Sequence, residues 1–126
     1  MTKKKMKSKH KSHKKISEML LSVGEGFIQQ GKTPEQRENY LRIVGSAWNM
    51  ACLEGELREK YIKDYLTMYI KSQNMDDSQG EPYEKDIRKL IDRKLSLFPL
   101  VKKEIVNVHL IHDDGQDKVM VASIDI

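Results

Sequence analysis

The chain has 126 residues, the length of one domain, and a formal net charge of +4 that is very unevenly placed. Residues 1–15 hold eight lysines and no acid, whereas the other 111 residues hold 15 Lys and Arg against 19 Asp and Glu. A single cysteine excludes an internal disulfide, and no apolar run approaches the length of a membrane span. We therefore expect a cytoplasmic protein that joins a basic segment to an acidic domain.

The basic segment, residues 1–15, is predicted to be a disordered tail, because a block of like charge repels itself and stays solvated. Its charge comes from Lys3, Lys4, Lys5, Lys7, Lys9, Lys11, Lys14 and Lys15. Lysine is a point charge without the planar fork of arginine, so we expect contacts to phosphate that ignore base sequence. Nucleic acid and anionic membranes both fit this charge, and a solubilising extension without a ligand is the alternative. We expect no metal at His10 and His13, because the surrounding lysines oppose a dication.

Apolar residues recur at spacings of three and four from Ile16 to Gln30, which predicts a first amphipathic helix. Gly24 and Gly26 within it mark either a bend or the close approach of a neighbouring helix. The run Thr33-Pro34-Glu35-Gln36 predicts the start of a second helix, with an N-cap threonine, a proline at the first position and a capping-box glutamine. That helix is expected to run to about Leu53 and to bury Trp48, the only tryptophan.

The third predicted helix has a wide apolar and aromatic face that we expect to contact more than one neighbour. Tyr61, Tyr65 and Tyr69 form a row at spacing four on this face. Such a row can stack on bases or line a seam between helices, and the seam is favoured because no arginines interleave with the tyrosines. Residues 73–80 have the composition of a surface loop.

A fourth helix is predicted to begin near Glu81-Pro82 and to be closed by Pro99. It carries a basic cluster, which is either a solvated face or an extension of the tail's binding surface. The cluster consists of Lys85, Arg88 and Lys89, followed by Arg93 and Lys94, with Arg88 expected to pair with Asp92 at spacing four.

The apolar period then changes from 3.6 to 2, which predicts a β-hairpin over about 104–126 with its turn at Asp114-Gly115. A two-residue turn there pairs Leu110 with Val119 and Val108 with Val121. An isolated two-stranded hairpin is marginal in water, so it must pack on the helices or lend its edge to another chain. Ile124 and Ile126 are the expected contacts to such a partner.

Residues with reactive side chains form no convincing catalytic site in the sequence. Cys52 lies on an apolar stripe with no histidine or acid placed to activate it, which is typical of a core cysteine. His109 and His112 fall on opposite faces of a strand and cannot hold one ion. The carboxylates around Asp113 do not match a calcium loop and are expected at a polar hairpin tip.

Three short runs, Ala47-Trp48-Asn49, Leu97-Phe98-Pro99 and Val121-Ala122-Ser123, resemble segments of small uncharacterised helical proteins of bacteria. The resemblance extends over about residues 16–123. It implies a bacterial, mainly helical protein and brings no activity, cofactor or site residue with it.

Together these patterns predict an α+β, mainly α fold, in which residues 16–126 form one domain of four helices and a C-terminal β-hairpin. The function we expect is non-catalytic and without a cofactor. The chain would bind a protein partner, or a second copy of itself, through its helical face or hairpin edge, while the tail contacts polyanions. The alternative is a sequence-nonspecific nucleic-acid-binding regulator, followed by a metal-dependent hydrolase that uses the carboxylates near Asp113.

Overall fold

A computed structural model describes residues 15–126, so Lys3 to Lys14 of the predicted tail lie outside the described residues. Within these described residues, four α-helices precede one antiparallel hairpin, which confirms the predicted α+β, mainly helical fold. The elements are α1 (Ile16–Val23), α2 (Pro34–Ala51), α3 (Gly55–Ser72), α4 (Glu81–Leu97), β1 (Lys103–Asp113) and β2 (Gln116–Asp125). Two short 3₁₀ helices lie at Ile28–Gln30 and Asp77–Gly80. No helix within residues 15–126 is long and apolar enough to cross a membrane.

Helix α1 is shorter than the sequence predicts. The expected helix over 16–30 ends at Val23, and the chain turns before a separate 3₁₀ turn at Ile28–Gln30. The backbone of Gly26 has a φ of +84°, which only glycine adopts at little cost and which no α-helix can contain. Gly26 therefore marks a bend, whereas Gly24 allows the close approach of α2, since a Cβ at Gly24 would lie 2.8 Å from the side chain of Val44. The apolar repeat continues through the bend because Ile28 is also buried.

Helix α2 is the central element, and it contacts the other three helices and β1. The hydroxyl of Thr33 accepts a hydrogen bond from the N–H of Gln36 at 3.1 Å, as the predicted N-cap requires. The predicted capping box is wrong in one detail, since the side chain of Gln36 accepts from the N–H of Lys32 rather than from that of Thr33. The helix ends at Ala51, two residues before the predicted end.

Arginine side chains close two of the helices at their C-terminal ends. Arg58 donates hydrogen bonds to the carbonyls of Met50, Ala51 and Leu53 at the end of α2. Arg93 donates to the carbonyls of Ser22 and Val23 at the end of α1. The last carbonyls of a helix lack the N–H of the next turn, and these arginines supply hydrogen-bond donors to them.

Helix α3 contacts α2 and α4, as its wide apolar face predicted, but it buries only Ile62 and Leu66 completely. Leu57, Tyr61 and Met68 on the same helix are exposed. Much of the apolar surface of α3 therefore faces outward.

Helix α4 begins at Glu81 and ends at Leu97, close to both predicted limits. The expected ion pair between Arg88 and Asp92 is wrong. Arg88 instead pairs with Glu84 one turn earlier, at 3.0 Å, and with Glu59 of α3, at 2.8 Å. The bond to Glu59 ties α3 to α4, which spacing along one helix cannot show.

The hairpin has the predicted register, with Leu110 opposite Val119 and Val108 opposite Val121. Asp114 and Gly115 have φ values of +54° and +76°, the positive φ pair of a type I′ turn. A bulge at Val106 shifts the register of β1 by one residue. It keeps the buried side chains of Ile105 and Val108 on the same inner face of the hairpin.

Trp48 lies fully buried where α2, α4 and the start of β1 meet, which confirms its predicted place in the core. Its indole N–H donates to the carbonyl of Lys103 at 2.9 Å, and the ammonium of Lys94 lies 5.0 Å from the ring centroid. Lys94 is only 2% exposed and donates to the carbonyl of Val101 at 2.8 Å. Burial lowers the pKa of the Lys94 ammonium below its usual value of 10.5.

Replacing Lys94 with methionine should change how stability depends on pH. Between the lowered folded-state pKa and 10.5 the unfolded chain binds more protons than the folded one, so wild-type stability gains a contribution that rises with pH. Lys94→Met removes that contribution, so the free energy of unfolding of the variant relative to wild type should fall from pH 7 to pH 10. Urea unfolding at both pH values measures this difference. The control is Lys85→Met at an exposed position, for which the difference in free energy of unfolding should be the same at pH 7 and pH 10. If the difference for Lys94→Met is also the same at both pH values, the lowered pKa of Lys94 is contradicted.

Candidate interaction surface

The outer edge of β1 is occupied by side chains of α2. Asn49 accepts from the N–H of Ile105 at 2.7 Å and donates to the carbonyl of the same residue at 2.9 Å. Near the start of the same helix, the carboxylate of Glu38 accepts a hydrogen bond from the N–H of Leu110 at 2.9 Å. Helix α2 therefore runs along β1 and satisfies backbone groups that an edge strand would otherwise present to another chain.

Charged groups at the hairpin tip hold the hairpin to the start of α2. Arg37 donates two hydrogen bonds to the carboxylate of Asp117, at 2.6 and 3.1 Å. This bidentate pair is the main cause of the lowered pKa of Asp117. The ring of His112 lies 2.7 Å from the same carboxylate. The N–H of Leu110 likewise lowers the pKa of Glu38. These contacts fix the tip of the hairpin relative to α2, and the bonds of Asn49 to Ile105 fix its other end.

The outer edge of β2 differs from that of β1. In an antiparallel pair the N–H and C=O of every second residue point toward the partner strand, and those of the residues between them point outward. Because the N–H of Leu110 points away from β2, its partner Val119 also points its backbone outward, and so do Val121 and Ser123. We call these outward N–H and C=O groups of Val119, Val121 and Ser123 the β2 edge. Within residues 15–126 these N–H groups donate no hydrogen bond and these C=O groups accept none.

Exposed apolar side chains lie on the outer face of the hairpin, which they share with the polar Asn107, His109 and Lys118. Met120 is 56% exposed, Ile124 51% and Ile111 48%, and Ala122 between them is also exposed. We call these four side chains the outer hairpin face. The opposite face packs on the core through Val108, Leu110 and the half-buried Val119 and Val121. Helix α1 contacts β2 but makes no hydrogen bond to the β2 edge, so within residues 15–126 the hairpin backbone is bonded to α2 along β1 and to no helix along the β2 edge.

Strand β2 carries few of the features that keep edge strands from pairing. It has no proline, and its residues 119–124 include no charged side chain. Lys118 and Asp125 flank this uncharged stretch, and Asp125 is paired with Lys103 of β1 at 2.7 Å. The uncharged stretch is long enough to accept another strand, since strands of five or six residues are common.

The two isoleucines predicted to bind a partner lie in or next to this region. Ile124 belongs to the outer hairpin face, and Ile126 just beyond β2 is 60% exposed, with its N–H bonded to the carbonyl of Lys102 at 3.2 Å. The sequence analysis did not identify Val119 and Val121 as the residues whose backbone N–H and C=O groups point outward. That direction follows from the turn register, so counting back from Asp114-Gly115 would have found it.

The three predicted tyrosines are divided between two environments. Tyr65 and Tyr69 are half-buried and stack with ring centroids 6.2 Å apart, and Tyr69 contacts the ring of Tyr83 on α4 at 5.1 Å. These two rings line the seam between helices that the sequence analysis favoured. Tyr61 is 47% exposed and lies with Leu57 on the outward side of α3.

The basic cluster of α4 is only partly free to bind a ligand. Lys85 and Lys89 are exposed one turn apart, and so is Lys15 at the start of the described chain. Arg88 is held by Glu59 and Glu84, and hydrogen bonds to both carboxylates raise the pKa of its guanidinium. The nearby Arg93 is used to close α1. Two lysines therefore remain of the predicted extension of the tail.

Groups with catalytic potential are dispersed. His112 pairs with Asp117, and His109 lies 3.4 Å from Glu38, so each histidine has its own carboxylate. No group of three or more His, Cys, Asp or Glu side chains within residues 15–126 is placed to hold a metal ion. An open groove of about 430 Å³ between α3 and α4 has an apolar floor that includes Ile62 and Leu66 and carries no histidine or cysteine. No observation in the described chain favours hydrolysis.

Comparison of the chain with protein-family models, with curated proteins and with solved structures finds no match. Function must therefore be inferred from the geometry of the chain itself.

Proposed function

We propose that this chain is a non-catalytic interaction protein that binds a protein partner by adding a strand to the β2 edge. The observation that carries the proposal is the contrast between the two edges of one hairpin. Asn49 bonds both outward groups of Ile105 and Glu38 bonds the outward N–H of Leu110 on β1, whereas the outward groups of Val119, Val121 and Ser123 on β2 have no hydrogen-bond partner within residues 15–126. A strand added to an open sheet edge gains main-chain hydrogen bonds along its length.

The outer hairpin face gives such a partner side-chain contacts as well. A strand laid beside β2 extends the sheet, and its own apolar side chains then lie next to Met120 and Ile124. Main-chain bonds supply affinity, and these side-chain neighbours supply selectivity between partners. The exposed apolar side chains of the hairpin thus have a role in the proposed complex.

The outward side of α3 is a weaker candidate for the same role. Leu57 and Met68 are 59% and 72% exposed, but the ion pair of Lys60 with Asp64 lies between them along the helix. A charged pair in the middle of an apolar stripe opposes its burial, because both groups would lose water. The hairpin edge has no such charge between residues 119 and 124.

Replacing Ala122 with lysine should abolish binding of the partner. Ala122 is exposed on the outer hairpin face, so its lysine reaches solvent without entering the core and places a charge in the middle of the β2 edge. We expect a change in the free energy of unfolding within about 0.5 kcal/mol. The matched control is Thr67→Lys, which adds the same charge at an exposed position on α3.

The measurement is a nuclease-treated pull-down with the purified variants as bait, quantified against wild type. Partners of the β2 edge are the proteins retained by wild type and Thr67→Lys and lost with Ala122→Lys. Equal retention by all three baits would place the interaction elsewhere on the chain and overturn the proposal.

A second function, binding of polyanions by the tail, is supported by the charge distribution. Residues 1–15 carry eight lysines, and the rest of the chain has four more acids than Lys and Arg. Attraction to phosphate therefore depends on the tail, with Lys85 and Lys89 as the nearest exposed supplement from α4. The tail would hold the protein complex near nucleic acid, and its removal tests this role separately from the β2 edge.

A further inference from the structure

We infer that the strand added to the β2 edge is β2 of a second copy of the same chain, paired antiparallel about a twofold axis that passes beside Ala122. The inference rests on the proposed function and makes it specific. It follows from the symmetry that such a pairing requires, from the charges at the ends of β2 and from the covered edge of β1.

Symmetry limits the registers that two copies of β2 can adopt. Antiparallel neighbours in one sheet are related by a twofold axis perpendicular to the sheet, which leaves each residue on its own face. A residue of the outer face therefore pairs with a residue of the outer face, and the axis passes beside a single residue. In the central stretch the candidates are Met120, Val121 and Ala122.

Charge and polarity distinguish these three registers. An axis at Val121 places Asp117 opposite Asp125 of the second copy, and does so twice, so like charges face each other at both ends. An axis at Met120 places Ile124 opposite the polar Gln116 and Lys118 opposite Ala122.

An axis at Ala122 gives the best side-chain pairing. Met120 of each copy then lies opposite Ile124 of the other, with the two small Ala122 side chains meeting at the axis. No like charges face each other in this register. The apolar side chains of Met120, Ala122 and Ile124 of both copies then lie side by side on the two central strands of the four-stranded sheet.

The resulting assembly is closed. Pairing uses the β2 edge of both copies, and the remaining edges belong to the two β1 strands, where Asn49 and Glu38 already bond the backbone. Because α2 lies along these β1 edges, a twofold contact between the β2 strands stops at a dimer and does not continue into a fibre. In the proposed four-stranded sheet the two β2 strands lie at the centre, and the two β1 strands, each lined by its own α2, lie at the edges.

The register can be tested by cysteine cross-linking. In the proposed pairing the two Ala122 residues form a pair without mutual backbone hydrogen bonds, for which the Cα atoms lie about 4.5 Å apart and within the range of a disulfide. The two Met120 residues are offset by four positions along the strands, about 13 Å, which a disulfide cannot span. Cys52→Ser provides the background, because Cys52 is the only natural cysteine.

We expect Ala122→Cys to form a covalent dimer under mild oxidation in most of the protein, and Met120→Cys and the exposed α3 control Thr67→Cys to stay below a tenth of that yield. Light scattering of wild type should give twice the chain mass of 14.7 kDa, and Ala122→Lys should reduce it to one chain. Cross-linking of Met120→Cys in place of Ala122→Cys would overturn the register. A dimer that persists in Ala122→Lys would overturn the interface.

The outcome for the homodimer is separable from that for partner binding in general. If purified wild type is a monomer at high concentration and Ala122→Cys does not cross-link, the second copy is excluded as the occupant of the β2 edge. The pull-down with Ala122→Lys and Thr67→Lys then decides the proposed function by itself. If a protein other than this chain is lost only with Ala122→Lys, the edge serves that partner and the homodimer inference fails alone.

Discussion

Trp48→Ala should lower the free energy of unfolding by about 3–5 kcal/mol, the usual cost of removing a large aromatic side chain from a core. Trp48 has no exposed surface, and its ring contacts that of Phe98 with centroids 6.1 Å apart. The substitution also removes the N–H bond to the carbonyl of Lys103 and the ring beneath the buried ammonium of Lys94. The single substitution therefore removes core packing, a hydrogen bond and the cation–π contact with Lys94.

Urea unfolding followed by circular dichroism measures this effect without relying on the tryptophan. Trp48→Phe keeps an aromatic ring and loses only the N–H and some volume, so we expect it to cost about 1–2 kcal/mol. Since Trp48 is the only tryptophan, the emission of the native wild-type protein reports its surroundings directly. An emission maximum typical of indole in water, or a loss below about 1 kcal/mol in Trp48→Ala, would contradict the packing of α2 against α4 and β1.

Turn and helix-cap motifs correctly predicted the register of the hairpin and the start of α2. A two-residue Asp-Gly turn fixes the pairing of every residue in the hairpin, so Asp114-Gly115 predicted the register correctly as far as Val108 and Val121. The N-cap at Thr33 and the proline at Pro34 located the start of α2 for the same reason. Each of these signals acts within four residues, where sequence and geometry correspond closely.

Helix ends and ion pairs that depend on distant residues were harder to predict. Arg93 closes α1 from 70 positions away, and Arg88 bonds to Glu59 on another helix, so neither partner can be found from helical spacing. The end of α1 was misplaced because apolar periodicity continues through the bend at Gly26 into Ile28. Periodicity reports which side faces the core and does not by itself report that the helix has stopped.

The candidate surface was predicted in outline. Ile124 and Ile126 placed the expected contact on the last strand, but the sequence did not show that the edge of β1 is covered by a helix. That covering depends on Asn49 and Glu38, which reach β1 from 56 and 72 positions away. An asparagine and a glutamate on a helix surface look like ordinary solvent-facing residues until their strand partner is known.

Removing residues 1–14 should reduce binding to duplex DNA more than any other change to the chain. The deletion takes away seven lysines and changes the formal net charge from +4 to −3. It keeps Lys15, whose carbonyl accepts the first hydrogen bond of α1 from the N–H of Met19 at 3.0 Å. We therefore expect the free energy of unfolding to stay within about 0.5 kcal/mol of wild type.

For the full-length chain, neutralisation of five to eight phosphates predicts a slope of log K against log salt of about −5 to −7, or a loss of about 10³- to 10⁴-fold in affinity for a fourfold rise in salt. Titration of duplex DNA and single-stranded RNA at two salt concentrations measures the slope, which should hardly change with base sequence because lysine contacts phosphate. Replacing the seven lysines by glutamine at constant length separates charge from chain length and should match the deletion. Replacing them by arginine keeps the charge and should preserve the slope. Equal binding by the deletion variant would move the site to the folded residues, where Lys85 and Lys89 of α4 would be replaced next, and absence of binding by wild type at low salt would leave partner binding at the β2 edge as the function of the chain.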